Sequence, residues 1–196
     1  MKHLILFENY HQNGVDLKSL EEYLLRFRIP LEKWGKGYAK TLSHLFREIE
    51  SGECTILEER GNILREIEFA MCEMFYHDGK NLFKLIEQKQ VFNDGRTRIR
   101  NKESSVSEKM MIGEDPLETL IRGVEEELGI ILGESQIEEV GDVKKTESSQ
   151  SFPGLITRYK GHNFTCFLNQ DQYSPNGYVE IQKDKSTYFI WEEYTS

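Results

Sequence analysis

The run Gly113-Glu-Asp-Pro-Leu-Glu-Thr-Leu-Ile-Arg-Gly-Val-Glu-Glu-Glu-Leu-Gly-Ile130 constrains this chain more than any other stretch. It predicts a sharply bounded helix. Asp115 can act as N-cap, Pro116 suits the first helical position, and Glu118 completes an Asp-x-x-Glu variant of the capping box. Gly129 supplies the stop. At 100° per residue, Leu117, Leu120, Ile121, Val124 and Leu128 form one apolar stripe for a core. Glu126 and Glu127 lie off that stripe, with Gly123 angularly between them. Two carboxylates on a helix whose inner face is pinned to a core suit a hard cation.

The same stretch resembles the box of the Nudix hydrolases, G-x5-E-x7-R-E-U-x-E-E-x-G-U, where U is a bulky apolar residue. Glu114, Arg122, Val124, Glu126, Glu127, Gly129 and Ile130 match at the right spacings. Two positions depart: Glu108 stands at the leading glycine, and Gly123 at the glutamate after the arginine. The resemblance implies an α/β fold, a mixed β-sheet sandwiched between helices, here with an N-terminal helical extension. It also implies metal-dependent hydrolysis of a nucleoside diphosphate-linked or related phosphoanhydride, with Mg2+ or Mn2+ as cofactor. Hard cations suit such chemistry because the attacking water and the leaving phosphate both develop negative charge.

By that resemblance Glu126, Arg122 and Glu114 are the catalytic candidates, with Arg122 holding the box loop by pairing with an acid such as Glu114. Glu126 and Glu127 would be metal ligands. Gly123 removes one carboxylate from the middle of the cluster, which Glu108 could restore by reaching inward, unless it points to solvent with Lys109 beside it. Glu180 and Asp184 are further acids from a late loop. Replacing Gly123 by Glu is expected to favour the helix through propensity alone. The alternative reading is a catalytically impaired Nudix fold that binds a nucleotide or a protein. A third places the function in the N-terminal helices, as an interaction module.

Composition narrows the partners. The net charge is −9 over 196 residues, which argues against general nucleic-acid binding. A local basic patch remains at Arg96, Arg98, Arg100 and Lys102. Arg98 and Arg100, two apart on one strand, could address one phosphate of a small nucleotide-like substrate, or simply form a charged strand edge. Apolar runs such as Leu4–Phe7 are too short to span a bilayer. Cys54, Cys72 and Cys166 match no zinc or redox spacing, so a reduced cytoplasmic compartment is expected.

The organisation expected is an extension over residues 1–52, packed on the same unit as a Nudix-like domain over 53–196. Ser19–Phe27 reads as a short helix. Leu31, Trp34, Tyr38, Leu42, Leu45 and Ile49 predict one long amphipathic helix, whose stripe could be buried on the domain or in a homodimer. Strands are expected over Ile67–Tyr76, Leu82–Val91, Arg96–Arg100, Val140–Lys144, Leu155–Tyr159, Phe164–Leu168, Tyr178–Gln182 and Thr187–Trp191. Lys160–Asn163 reads as a turn and Glu147–Gln150 as a loop.

Overall fold

The computed structural model describes residues 16–100 and 104–195. Among the described residues it holds a mixed sheet and three α-helices, which bears out the α/β reading. The expectations at Leu4–Phe7 and Lys102 lie outside the described residues. Strands β6 (Ile137–Ser148), β7 (Ile156–Leu168), β2 (Asn62–His77), β3 (Leu82–Phe92), β9 (Lys185–Glu193) and β8 (Tyr178–Ile181) are hydrogen-bonded in that order, with β1 (Thr55–Glu59) and β5 (Val106–Lys109) also on β2 and β4 (Thr97–Ile99) also on β3. Contacts divide the chain into two units, and β2 (Asn62–His77), β6 (Ile137–Ser148) and β7 (Ile156–Leu168) carry residues of both.

One unit takes the described part of Met1–Glu68 together with Lys109–Glu114 and Val143–Lys160. Helix α1 (Leu17–Arg26) starts at Asp16, whose carboxylate accepts from the Ser19 N–H at 2.8 Å. The expected long helix is broken. A single 3-10 turn, Leu31–Lys33, is followed by Gly35 and Gly37 at φ 73° and 59°, and helix α2 runs only over Leu42–Glu50. The left-handed glycines end the periodicity, so Tyr38 is 97% exposed while Trp34, Leu45 and Ile49 are buried. Trp34 packs on Phe152 and donates from Nε1 to the Pro153 carbonyl at 2.8 Å.

Strand β1 (Thr55–Glu59), which periodicity did not reveal, pairs antiparallel with the start of β2 from Thr55↔Glu66 to Glu59↔Asn62. Arg60 and Gly61 make its turn with φ 53° and 76°. Buried Glu48 of α2 is paired with buried Arg65 of β2 and with Lys40 at 2.6 Å and Lys109 at 3.4 Å.

The other unit takes Phe69–Glu108, Asp115–Asp142 and Gly161–Ser196. The rest of β2 pairs with β3 (Leu82–Phe92), from Met74↔Leu85 to His77↔Leu82. Asp78 shapes the hairpin by accepting from the Lys80 and Asn81 N–H groups at 2.8 and 2.7 Å. Strand β4 (Thr97–Ile99) pairs with β3, and β9 (Lys185–Glu193) lies between β3 and β8 (Tyr178–Ile181). Two expected irregular stretches are extended instead. β7 runs unbroken through residues 160–163, and β6 continues to Ser148. Ser149 is buried and its hydroxyl accepts from the Phe152 N–H at 3.0 Å.

Candidate functional site

The box helix, α3, spans Pro116–Leu128. Asp115 accepts from the Leu117 and Glu118 N–H groups at 2.9 and 3.1 Å, the N-cap the sequence predicted. Gly129 ends the helix at φ 68°, its N–H donating to the Glu125 carbonyl at 2.9 Å. Leu120 and Val124 are fully buried in a core with Leu85, Phe164 and Phe189, and Leu117, Ile121 and Leu128 pack against it. That core fixes the rotation of the helix, and hence the positions of Arg122, Glu126 and Glu127.

Gly123 is buried. A Cβ there would lie 2.7 Å from Cβ and 3.0 Å from Cγ of Glu108, and 3.8 Å from Val106 Cγ1. Glu108 stands on a strand, β5 (Val106–Lys109), that lies over the helix at this glycine. The two departures from the box therefore meet in space. The helix carries no side chain at Gly123, and the adjoining strand carries the Glu108 carboxylate beside it. The expectation that Gly123→Glu favours the helix is overturned, because the new side chain would collide with the stem of Glu108.

The Glu108 carboxylate turns to Arg122, which donates from Nη1 to Oε1 at 3.1 Å. The same Nη1 lies 3.6 Å from Oε2 of Glu126, one helical turn on, whose side chain is 62% exposed. Arg122 thus draws Glu108 and Glu126 toward one point. Glu127 is half-buried. Glu114 lies in the loop before the helix, where its Oε2 accepts from the Met111 N–H at 2.6 Å and so closes that turn. Lys109 pairs with Glu53 at 2.8 Å and with Glu48. Among the described residues, no three carboxylate, imidazole or thiol groups are gathered to hold a metal ion. The donors fit Mg2+ or Mn2+ in kind, being carboxylate oxygens.

The sequence-predicted arginines differ in setting. Arg98 is exposed on β4, whereas Arg100 lies with Nε 3.1 Å from Oε1 of Glu87, a buried carboxylate that sequence periodicity did not single out. Glu180 sits on β8, a strand that packs against α3. Asp184 contributes its carbonyl to the Asn93 N–H at 3.0 Å. Tyr173, Tyr76, Trp191 and Tyr178 pack on one another, with Tyr76 and Tyr173 stacked at 3.7 Å, so these rings fill an aromatic cluster.

The cysteines are buried. Cys72 and Cys166 share the core around α3, and the hydrogen bond between them, together with burial, pushes the Cys72 thiol well above its ordinary value. Burial pushes Cys54 up to about 11. Neither shift favours a thiolate nucleophile.

No family model and no curated protein matches the chain. The structural likeness is to Nudix and MutT proteins. A MutT/nudix family protein from Enterococcus faecalis is 13% identical with a TM-score of 0.46, over 95% of this chain and 54% of that one. This chain therefore spans about half the length of that protein. The Ap4A hydrolase of C. elegans is 14% identical with a TM-score of 0.37, over 65% of this chain and 80% of that one. The NUDIX domain of Shewanella oneidensis NrtR, complexed with ADP ribose, is 11% identical with a TM-score of 0.40, over 65% and 73%. Among the described residues, no helix is long and apolar enough to cross a membrane.

Proposed function

We propose that the chain is a metal-dependent Nudix-type hydrolase of a nucleoside diphosphate-linked or related phosphoanhydride. The observation that carries this reading is the placement of Glu108 over Gly123, with its carboxylate directed to Arg122 and so toward Glu126. The carboxylate lacking on the helix is delivered from the adjoining strand. Glu126, Glu127 and Glu108 are the residues that would hold Mg2+ or Mn2+, and the ion when bound would screen the diphosphate and acidify a water. Arg122 orients Glu108 and Glu126, while Glu114 fixes the loop that leads into the helix.

One observation favours a second reading. Arg122 already places a cation between Glu108 and Glu126, so the pair can be satisfied without metal and the fold can serve as a nucleotide-binding module. Phosphate release from a panel of nucleoside diphosphate derivatives, with Mg2+ or Mn2+ and with chelator, separates the two. Metal-dependent release that Glu126→Gln abolishes, at an unchanged melting temperature, supports the hydrolase. Nucleotide binding without release supports the binding module.

A further inference from the structure

Among the described residues two that are not glycine hold a left-handed backbone, and both are arginines: Arg28 at φ 58° and Arg60 at φ 53°. Helix α1 ends in a Schellman motif. The Arg28 N–H donates to the Leu25 carbonyl at 2.9 Å and the Ile29 N–H to the Leu24 carbonyl at 3.2 Å. Arg28 thus fills the left-handed position after the cap, which glycine usually takes. In the β1–β2 hairpin Glu59 pairs with Asn62, so Arg60 and Gly61, both at positive φ, make a two-residue turn of the I′ kind. The first central position of that turn favours Asn, Asp or Gly. A left-handed backbone crowds the Cβ of any other residue against the following carbonyl. At both turns the chain gives up stability and keeps a guanidinium.

The two turns border one groove, within the unit that holds α1, β1 and the start of β2. Its volume is about 350 Å³, and its lining includes Arg26, Arg28, Ile29, Asn62, Ile63 and Ile156. Arg60 adjoins Gly61, which also lines it. Ile29 and Ile63 are buried, whereas Ile156 is 44% exposed, so the apolar floor is open to solvent. The rim is cationic. Arg26, Arg28 and Arg60 are exposed, and among the described residues none of them makes an ion pair. Arg26 only approaches the Tyr23 ring, at 5.9 Å. The carboxylate next to Arg60 is already taken, because Glu59 pairs with Arg158 at 2.7 Å.

We propose that this groove docks an acidic peptide segment of a partner protein. A large apolar side chain of the peptide sits on Ile29, Ile63 and Ile156, and flanking carboxylates pair with Arg28 and Arg60. A guanidinium meets a carboxylate through two parallel N–H···O bonds, so two arginines select acid on both sides of the apolar anchor. A small inorganic anion would leave the apolar floor empty. A polynucleotide needs a wide cationic surface, which a chain of net charge −9 does not offer beyond three arginines. A lipid surface is flat, whereas Ile29 and Ile63 lie recessed between the arginines. None of the box residues takes part, so the groove is independent of whether the chain hydrolyses a phosphoanhydride.

Fluorescence anisotropy of a labelled Glu-Glu-Leu-Glu-Glu peptide, titrated with the full chain, tests the groove. The peptide should bind at low salt, more weakly as salt rises, and about tenfold more weakly when its Leu is replaced by Ser. Arg28→Gly and Arg60→Asn should each weaken it about three- to tenfold. Both variants should also melt above the wild type, because each places a favoured residue at its left-handed position. Affinity lost while stability is gained is a signature that a merely structural arginine would not give. Ile156→Ser should weaken the Leu peptide and leave the Ser peptide unchanged. A wild type that does not bind the Leu peptide overturns the inference. So do arginine variants with wild-type affinity, or ones that lose affinity and melting temperature together, or an Ile156→Ser protein with wild-type affinity. Tighter binding of an oligothymidylate or of phosphatidylserine vesicles than of the peptide also overturns it, and assigns the arginines to that ligand.

Discussion

At the residue scale, Glu108 and Gly123 behave as one feature. A side chain at 123 must displace Glu108 at its Cβ, close to the strand backbone, where rotamer changes give no relief. Gly123→Glu should therefore destabilise the fold by about 1–3 kcal/mol through overpacking, despite the better helix propensity of glutamate. In a Glu108→Gly background the nearest remaining atom is Val106 Cγ1 at 3.8 Å, an ordinary contact, so the cost should largely vanish. Urea unfolding of both singles and the double variant measures this coupling. Additive free energies would show that the two positions do not touch. The sequence exposed both departures because each breaks a spaced pattern. It could not show that they meet, since residues 15 apart on a strand and a helix are brought together only by the sheet.

At the element scale, the box helix was legible because its boundaries are local chemistry. The Asp115 carboxylate and the left-handed Gly129 act on neighbouring backbone groups, and the apolar stripe needs only a core to face. Asp115→Ala should cost about 1 kcal/mol of stability, read as a lowered denaturation midpoint. An unchanged midpoint would show that tertiary packing alone sets the start of the helix. Periodicity misled over Leu31–Ile49, where Gly35 and Gly37 took left-handed conformations, and Thr41 begins a fresh helix with its N–H donating to His44 Nδ1 at 3.3 Å. It failed again in β3, where the shift after Glu87 moves side chains to the unexpected face. Long-range pairing sets such irregularities, so they leave little local signal.

At the scale of the whole molecule, the helices before residue 53 are tied in by charge as well as by apolar contact. Burial raises the Glu48 carboxyl, but Arg65, Lys40 and Lys109 outweigh it and hold the group below its ordinary value. Its contribution is then fully present above pH about 4.5 and is lost as pH falls through the lower, folded value. Glu48→Gln should flatten that part of the acid limb of a stability–pH curve, while lowering stability near neutrality by about 3–5 kcal/mol because Arg65 is left buried without its partner. A chain beginning at Glu53 loses Leu45, Ile49 and Glu48 together, and should aggregate or melt far below the intact protein. A shortened chain melting at the full-length temperature would make the helices an independent arm.

The displaced carboxylate is tested most directly by Mn2+ titration of four proteins: wild type, Glu108→Gln, Gly123→Glu, and the exchange of Glu108→Gly with Gly123→Glu. Metal affinity follows the number of charged ligands, so the wild type should bind Mn2+, Glu108→Gln should bind about tenfold more weakly, and the exchange should recover the wild-type affinity. A wild-type protein that binds no Mn2+, or one whose affinity ignores Glu108→Gln, would contradict the account.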